Sequence, residues 1–221
     1  MMRKHILLIL VLTITSLYSN EKSEHLPKVL IIGDSISIGY TPIVKKELEN
    51  KAIVTRHKGN AGPTIRAMKN IDQWLGDTKW DVIHFNWGLW DMYGWEYDKD
   101  DRSPEMYKMR LEKLVSRLKK SQAKLIWGTT TPVCPGPEKT MEKRFHKEVV
   151  ISKEKERVYL DTAKQVMKKH KIQMNDLNSF IYPDLNTYAI AANDVHYTKE
   201  GNKRLGKKVA EEIMKVIELK D

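Results

Sequence analysis

Short, continuously apolar runs alternate along this chain with longer segments whose apolar residues recur every three or four positions. Val29-Leu30-Ile31-Ile32 has no polar face at all, which is the pattern of a strand covered on both sides of a sheet. Reading the chain this way assigns strands to residues 28–32, 52–57, 81–86 and 124–128. Helical spacing marks residues 41–49, 64–75 and 104–120, the last opening on Pro104 and carrying Met106, Met109, Leu114 and Leu118 on one side. A long amphipathic stretch follows over residues 145–170. A final helix over residues 198–219 lines up Leu205, Val209, Ile213 and Val216. Alternation of this kind predicts the α/β class: a single-domain, three-layer α/β/α sandwich around a mainly parallel sheet of about five strands, with right-handed crossovers. The chain has 221 residues and no internal repeat, enough for one such domain.

The start of the chain departs from that pattern. Arg3 and Lys4 precede an almost wholly apolar stretch from Ile6 to Tyr18, and small or polar residues follow at Ser19 and Asn20. This is the layout of a secretory signal peptide, and the apolar run is short for a membrane span. The expected organisation is a signal over residues 1–19, a flexible start over 20–26 and a folded domain over 27–221. The expected location is periplasmic or secreted, without stable membrane insertion after cleavage; a retained N-terminal anchor is the alternative.

Export limits what Cys134, the single cysteine, can do. One thiol forms no internal disulfide, and between Val133 and Pro135 it reads as a small packed residue. The formal charge of +10 falls to +8 when Arg3 and Lys4 leave with the signal. Lysines such as Lys164, Lys168, Lys169 and Lys171 recur at helical spacing and read as a solvated face rather than a nucleic-acid groove. His25, His57, His84, His146 and His170 form no ligand spacing, and no glycine-rich phosphate loop is present. No metal, cofactor or nucleic-acid partner is therefore expected.

Candidate chemistry lies at the two ends of the chain. Gly33-Asp34-Ser35 follows the first strand, where open α/β sheets place their ligands. Asn193-Asp194-Val195-His196 sits just before the last helix and offers a histidine beside two side chains that could orient it. A serine hydroxyl is a weak nucleophile until a base takes its proton, and that base works best when a third group holds its ring. Only a fold that joins the chain's ends makes these residues partners.

With these blocks and two others in order, the chain resembles the SGNH (GDSL-like) hydrolases over essentially its whole mature length. Gly33-Asp34-Ser35 matches the first block, Asn60-Ala61-Gly62 the second and Gly88-Leu89-Trp90-Asp91 the third. The stretch from His196 through Tyr197-Thr198-Lys199-Glu200-Gly201 matches the fourth. The resemblance implies a cofactor-free acyl transfer in which Ser35 attacks, His196 shuttles the proton and the backbone N–H groups of Ser35 and Gly62 stabilise the oxyanion. One such donor is typically worth about 3–4 kcal/mol of barrier.

Two positions depart from the family pattern. Trp90 stands where the third block carries an asparagine, so either its indole N–H substitutes, or Asn86 reaches in, or two backbone donors suffice. The usual place of the orienting aspartate, three residues before the histidine, holds Asn193. Asp194 lies two before; as a carboxylate it is the stronger candidate, with Asn193 the alternate. Beyond the third strand, Trp87, Trp90 and Trp95 form an aromatic rim mixed with Asp98, Asp100, Asp101 and Arg102. That mixture suits a sugar better than a long acyl chain. The expected activity is removal of acetyl or other short acyl groups from an acylated small molecule or polysaccharide. The alternatives are a lysophospholipase or thioesterase of the same family and a catalytically weak polysaccharide-binding module.

Overall fold

The computed structural model of the protein describes residues 26–94, 101, 103–146 and 148–219. The expected signal segment and Trp95 lie outside these residues. Five strands form one parallel sheet: β1 (Lys28–Ile32), β2 (Ile53–Arg56), β3 (Val82–Phe85), β4 (Lys124–Gly128) and β5 (Gln173–Asn175), in the order β2-β1-β3-β4-β5. Val29 to Ile32 and Val82 to Phe85 are buried throughout, because helices cover both faces of the central strands. Edge strand β2 alternates exposed and half-buried positions instead. Strand order reverses beside β1, and in such sheets the crevice beyond the strand ends at this reversal is where ligands bind.

The helices are α1 (Ser35–Glu47), α2 (Thr64–Leu75), α3 (Leu89–Tyr93), α4 (Pro104–Lys119), α5 (Lys139–Phe145) and α6 (Lys153–His170). Three more follow: α7 (Leu177–Ile181), α8 (Leu185–Tyr188) and α9 (Lys199–Glu218). Helix α4 begins as its sequence predicts, with Ser103 accepting the Met106 N–H and Pro104 in the first turn. Its buried face includes Leu114 and Leu118 as expected, but Met109 is exposed, while Tyr107, Arg110 and Leu111 turn inward. Buried Arg110 is satisfied by Thr64 Oγ1 (3.0 Å) and the Asp101 carbonyl (2.5 Å).

Two helix boundaries move in a way that matters for the site. Helix α1 starts at Ser35, six residues before the expected Thr41. The Asp34 carboxylate accepts the Ile36 N–H (2.9 Å) and closes the first turn. The helix expected over residues 145–170 begins only at Lys153, as α6, and Phe145 instead closes the separate helix α5. His146 takes a left-handed conformation (φ 51°) that ends α5, and Ser152 caps α6 by accepting the Lys155 N–H.

Helix α9 buries Leu205, Val209, Ile213 and Val216 and packs along α1. Each such side chain removed from water contributes about 1.5–3 kcal/mol. The approach is close: a Cβ on Gly206 would fall 2.6 Å from Cβ of Ile43. The first and last helices of the domain are thereby neighbours, and the residues leading into each come together. Among the described residues no helix is long and apolar enough to cross a membrane.

Candidate active site

Ser35 occupies the first position of α1, immediately beyond the buried strand β1. Its hydroxyl Oγ lies 2.8 Å from His196 Nε2, and His196 Nδ1 lies 2.6 Å from Asp194 Oδ1. With its ring proton on Nδ1, donated to Asp194, the histidine leaves Nε2 as an acceptor for the serine hydroxyl. That is the order of groups a nucleophilic serine requires.

The loop that presents His196 is held by its own backbone. Ile190 N–H donates to the His196 carbonyl (3.0 Å) and Thr198 N–H to the Tyr188 carbonyl (2.8 Å), so Ala189 and Tyr197 form an antiparallel bridge. The turn closes with Asp194 N–H on the Ala191 carbonyl, and Asp194 also accepts the His196 N–H (3.0 Å). This curl turns Asp194 inward, with only 2% of its side chain exposed. Asn193, the alternate orienting residue, is exposed, and its carbonyl accepts the Lys139 N–H (2.9 Å). The structure therefore brings Asp194, not Asn193, to the imidazole.

Asp194 has a further partner that its sequence gives no sign of. Lys139, the first residue of α5, sets its ammonium 2.5 Å from Asp194 Oδ2. Burial pushes the Asp194 carboxyl up, but hydrogen bonds from Lys139 and His196 outweigh it and hold the group below its ordinary range. The Lys139 ammonium is correspondingly raised by its bond to Asp194.

The turn carrying Ser35 is fastened from β2. The Arg56 guanidinium donates to the Gly33 carbonyl (2.8 Å), the Asp34 carbonyl (3.2 Å) and Ser37 Oγ (2.9 Å), as well as to the carbonyls of His57 and Gly59. Burial lowers the Arg56 pKa, partly countered by Tyr40 and Asp34. Asp34 is buried beneath the serine, and burial pushes its carboxyl up despite the Ile36 N–H and the His196 and Arg56 charges. His57 packs against Trp74 and lies 3.0 Å from the Gly33 carbonyl. These groups set the backbone at Ser35 and do not touch its hydroxyl.

Of the expected oxyanion donors, the Ser35 backbone N–H makes no hydrogen bond among the described residues and sits at the N-terminus of a thirteen-residue helix. The Gly62 N–H, by contrast, is taken by the Asn60 side-chain carbonyl (2.8 Å). Gly62 itself is left-handed (φ 59°), and a Cβ there would meet the Arg66 guanidinium at 2.9 Å. Asn86 is likewise engaged, its amide donating to the Gly128 carbonyl (2.7 Å) and Thr130 Oγ1 (3.3 Å), so it anchors β3 to β4 instead of reaching into the site. Trp90 is half-buried in α3 with the Arg66 guanidinium 5.0 Å from its ring centre. Beside it, buried Asp91 accepts from Thr64 N–H (3.2 Å) and Thr64 Oγ1 (2.6 Å) and thereby caps α2.

The expected aromatic rim is only partly a rim. Trp87 is 1% exposed, tilted against Phe85 with ring centres 5.6 Å apart, and its carbonyl accepts from Tyr107 Oη (2.8 Å). It is core, not a substrate contact. Trp87→Leu should lower stability by about 1–3 kcal/mol, read as a reduced midpoint in urea, with KM for any ester unchanged. Cys134 is buried and donates its thiol to the Gly136 carbonyl (3.1 Å). His84 is also buried, which pushes it down to about 4 and keeps it neutral. Among the described residues no group of three or more His, Cys, Asp or Glu side chains is placed to hold a metal.

No protein-family model matches this chain, and no curated protein matches it either. Solved structures do. A carbohydrate acetylesterase from Sinorhizobium meliloti superposes with a TM-score of 0.70 at 16% identity, covering 86% of this chain and 99% of its own. An aryl esterase from M. smegmatis gives 0.69 at 15% identity, with 86% and 99% covered. A lipase/acylhydrolase from Enterococcus faecalis gives 0.67 at 18% identity, with 85% and 95% covered. The chain has the α/β/α fold of the SGNH, or GDSL-like, hydrolases.

Proposed function

We propose that this SGNH-fold chain is a serine ester hydrolase that removes acetyl or other short acyl groups, with carbohydrate esters as its substrates. The single observation that carries this reading is the unbroken array Ser35 Oγ, His196 Nε2, His196 Nδ1 and Asp194 Oδ1, with contacts of 2.8 and 2.6 Å. In the proposed cycle His196 takes the Ser35 proton as Oγ attacks the ester carbonyl, then returns it to the departing alkoxide. Water repeats the sequence on the acyl-enzyme. Charge on the carbonyl oxygen falls to the Ser35 N–H at the head of α1. Gly62 joins as a donor only by giving up Asn60, and Trp90 remains the candidate for the third position.

Support for a carbohydrate ester comes from the half-buried Trp90 with Arg66 across its ring and Asn60 nearby, a polar and aromatic border. The likeness to the S. meliloti carbohydrate acetylesterase agrees with it. The test is acyl release from acetylated glycans and from nitrophenyl esters of increasing chain length. It uses mature protein from the extracytoplasmic fraction, whose N-terminus should read near Asn20 if the chain is exported as proposed. Acetyl esters should be cleaved fastest. Rates that climb steadily to decanoate would instead support a lysophospholipase or thioesterase.

A second reading draws on one specific observation: both the Gly62 N–H and the Asn86 amide are already hydrogen-bonded within the protein. A site short of oxyanion donors suits a polysaccharide-binding module of weak catalytic power. Glycan binding without hydrolysis above background would favour it.

A further inference from the structure

We propose that Lys139 is a positioning residue of the Ser35–His196–Asp194 array, holding the carboxylate in register and keeping His196 a base at lower pH than Asp194 alone would allow. The inference rests on the esterase reading for its catalytic consequence but not for its electrostatic one.

The geometry divides the two oxygens of Asp194 between two partners of different kinds. Oδ1 takes the His196 ring and backbone N–H groups, while Oδ2 takes the Lys139 ammonium at 2.5 Å. An exposed ion pair would be worth little. Here the Asp194 side chain is 2% exposed, whereas that of Lys139 is 53% exposed. Oδ2 is thus shut off from water and Lys139 supplies the bond that water cannot, so removing the ammonium leaves half of a buried carboxylate unsatisfied. Fixing Oδ2 also fixes the carboxylate plane, and with it the direction of Oδ1 toward the imidazole.

The charge effect has a definite sign. When His196 takes the serine proton it becomes an imidazolium, which Asp194 favours and a nearby ammonium disfavours. Deleting Lys139 removes the opposing charge, so the ring should protonate at higher pH and cease to be a base sooner as the solution is acidified. Other groups facing the pair are Cys134 and the buried Glu138 from the segment before α5, and Asp34 from the head of α1. Glu138 is committed to capping α5 through the Met141 N–H (2.9 Å). Lys139 is the only Lys or Arg paired with Asp194 among the described residues.

Lys139→Met keeps the backbone bond from residue 139 to the Asn193 carbonyl, so the loop retains its anchor. Its acid limb of kcat/KM should move to higher pH by about half a unit, with kcat reduced several-fold and KM nearly constant. Lys139→Arg should restore the limb, and strong salt should shrink the difference because Lys139 is half-exposed. An acid limb that stays in place in Lys139→Met would overturn the proposal, whatever the loss in melting temperature. The same comparison made by NMR titration of the His196 ring in a Ser35→Ala background needs no activity. A ring that titrates identically with and without Lys139 sinks the inference, whereas a ring that shifts upward on loss of Lys139, while the parent chain with Ser35 intact hydrolyses no ester, supports it and sinks the esterase reading.

Discussion

Ser35→Ala should remove ester hydrolysis almost entirely, by roughly a million-fold in kcat, while leaving the midpoint of unfolding within about 0.5 kcal/mol of the parent. Both halves follow from where the hydroxyl sits. Oγ touches His196 Nε2 and carries none of the bonds that build the turn, which belong to Asp34, Ser37 and Arg56. The cap of α1 is Asp34, so alanine at the next position costs the helix nothing. Without Oγ no acyl-enzyme forms, and the donors that remain act only on direct attack by water. An organophosphate should label Ser35 in the parent and no serine in the variant. Retention of more than about a hundredth of the parent rate would show that another residue attacks.

Asp194→Ala should lower kcat by about ten-thousand-fold, whereas Asn193→Ala should change it less than about threefold. The asymmetry is geometric: Asp194 holds the ring nitrogen at 2.6 Å, and Asn193 contributes only a backbone carbonyl that any residue possesses. Asp194→Asn sharpens the comparison. An amide presents either an oxygen or an N–H to Nδ1, and the N–H would force the tautomer that disables Nε2. Equal and small losses from Asp194→Ala and Asn193→Ala would mean a serine–histidine pair held by backbone alone. The pH dependence carries the same logic. The Asp194 carboxyl is held below its usual range, so its support of the fold is present above the unfolded pKa and is lost as pH falls through the folded one.

Central strands were legible because burial on both faces leaves an unbroken apolar signature, as in Val29 to Ile32. Strand β5 was not. Gln173-Met174-Asn175 has no such signature, and it is a strand because β4 offers it a backbone edge. The start of α1 was missed because it is set by the Asp34 cap rather than by apolar spacing. The serine and histidine blocks were visible because acyl transfer demands particular side chains at particular turns. Whether Gly62 or Asn86 has an N–H to spare depends on Asn60, Gly128 and Thr130, and hydrogen-bond occupancy leaves no trace in spacing. Lys139 was invisible for a related reason. One lysine in a chain rich in lysines becomes distinctive only when α5 lays it against a buried carboxylate.

The close seat of Gly206 against Ile43 has a consequence for how such a protein is made. Synthesis runs from the first helix to the last, so Ser35 exists in the growing chain long before the histidine that would activate it. Until α9 settles into the groove along α1, the serine is an ordinary alcohol at the end of a strand. Under the proposed function, hydrolytic power would therefore arrive only with completion of the fold, as a final closure of the chain upon its own beginning.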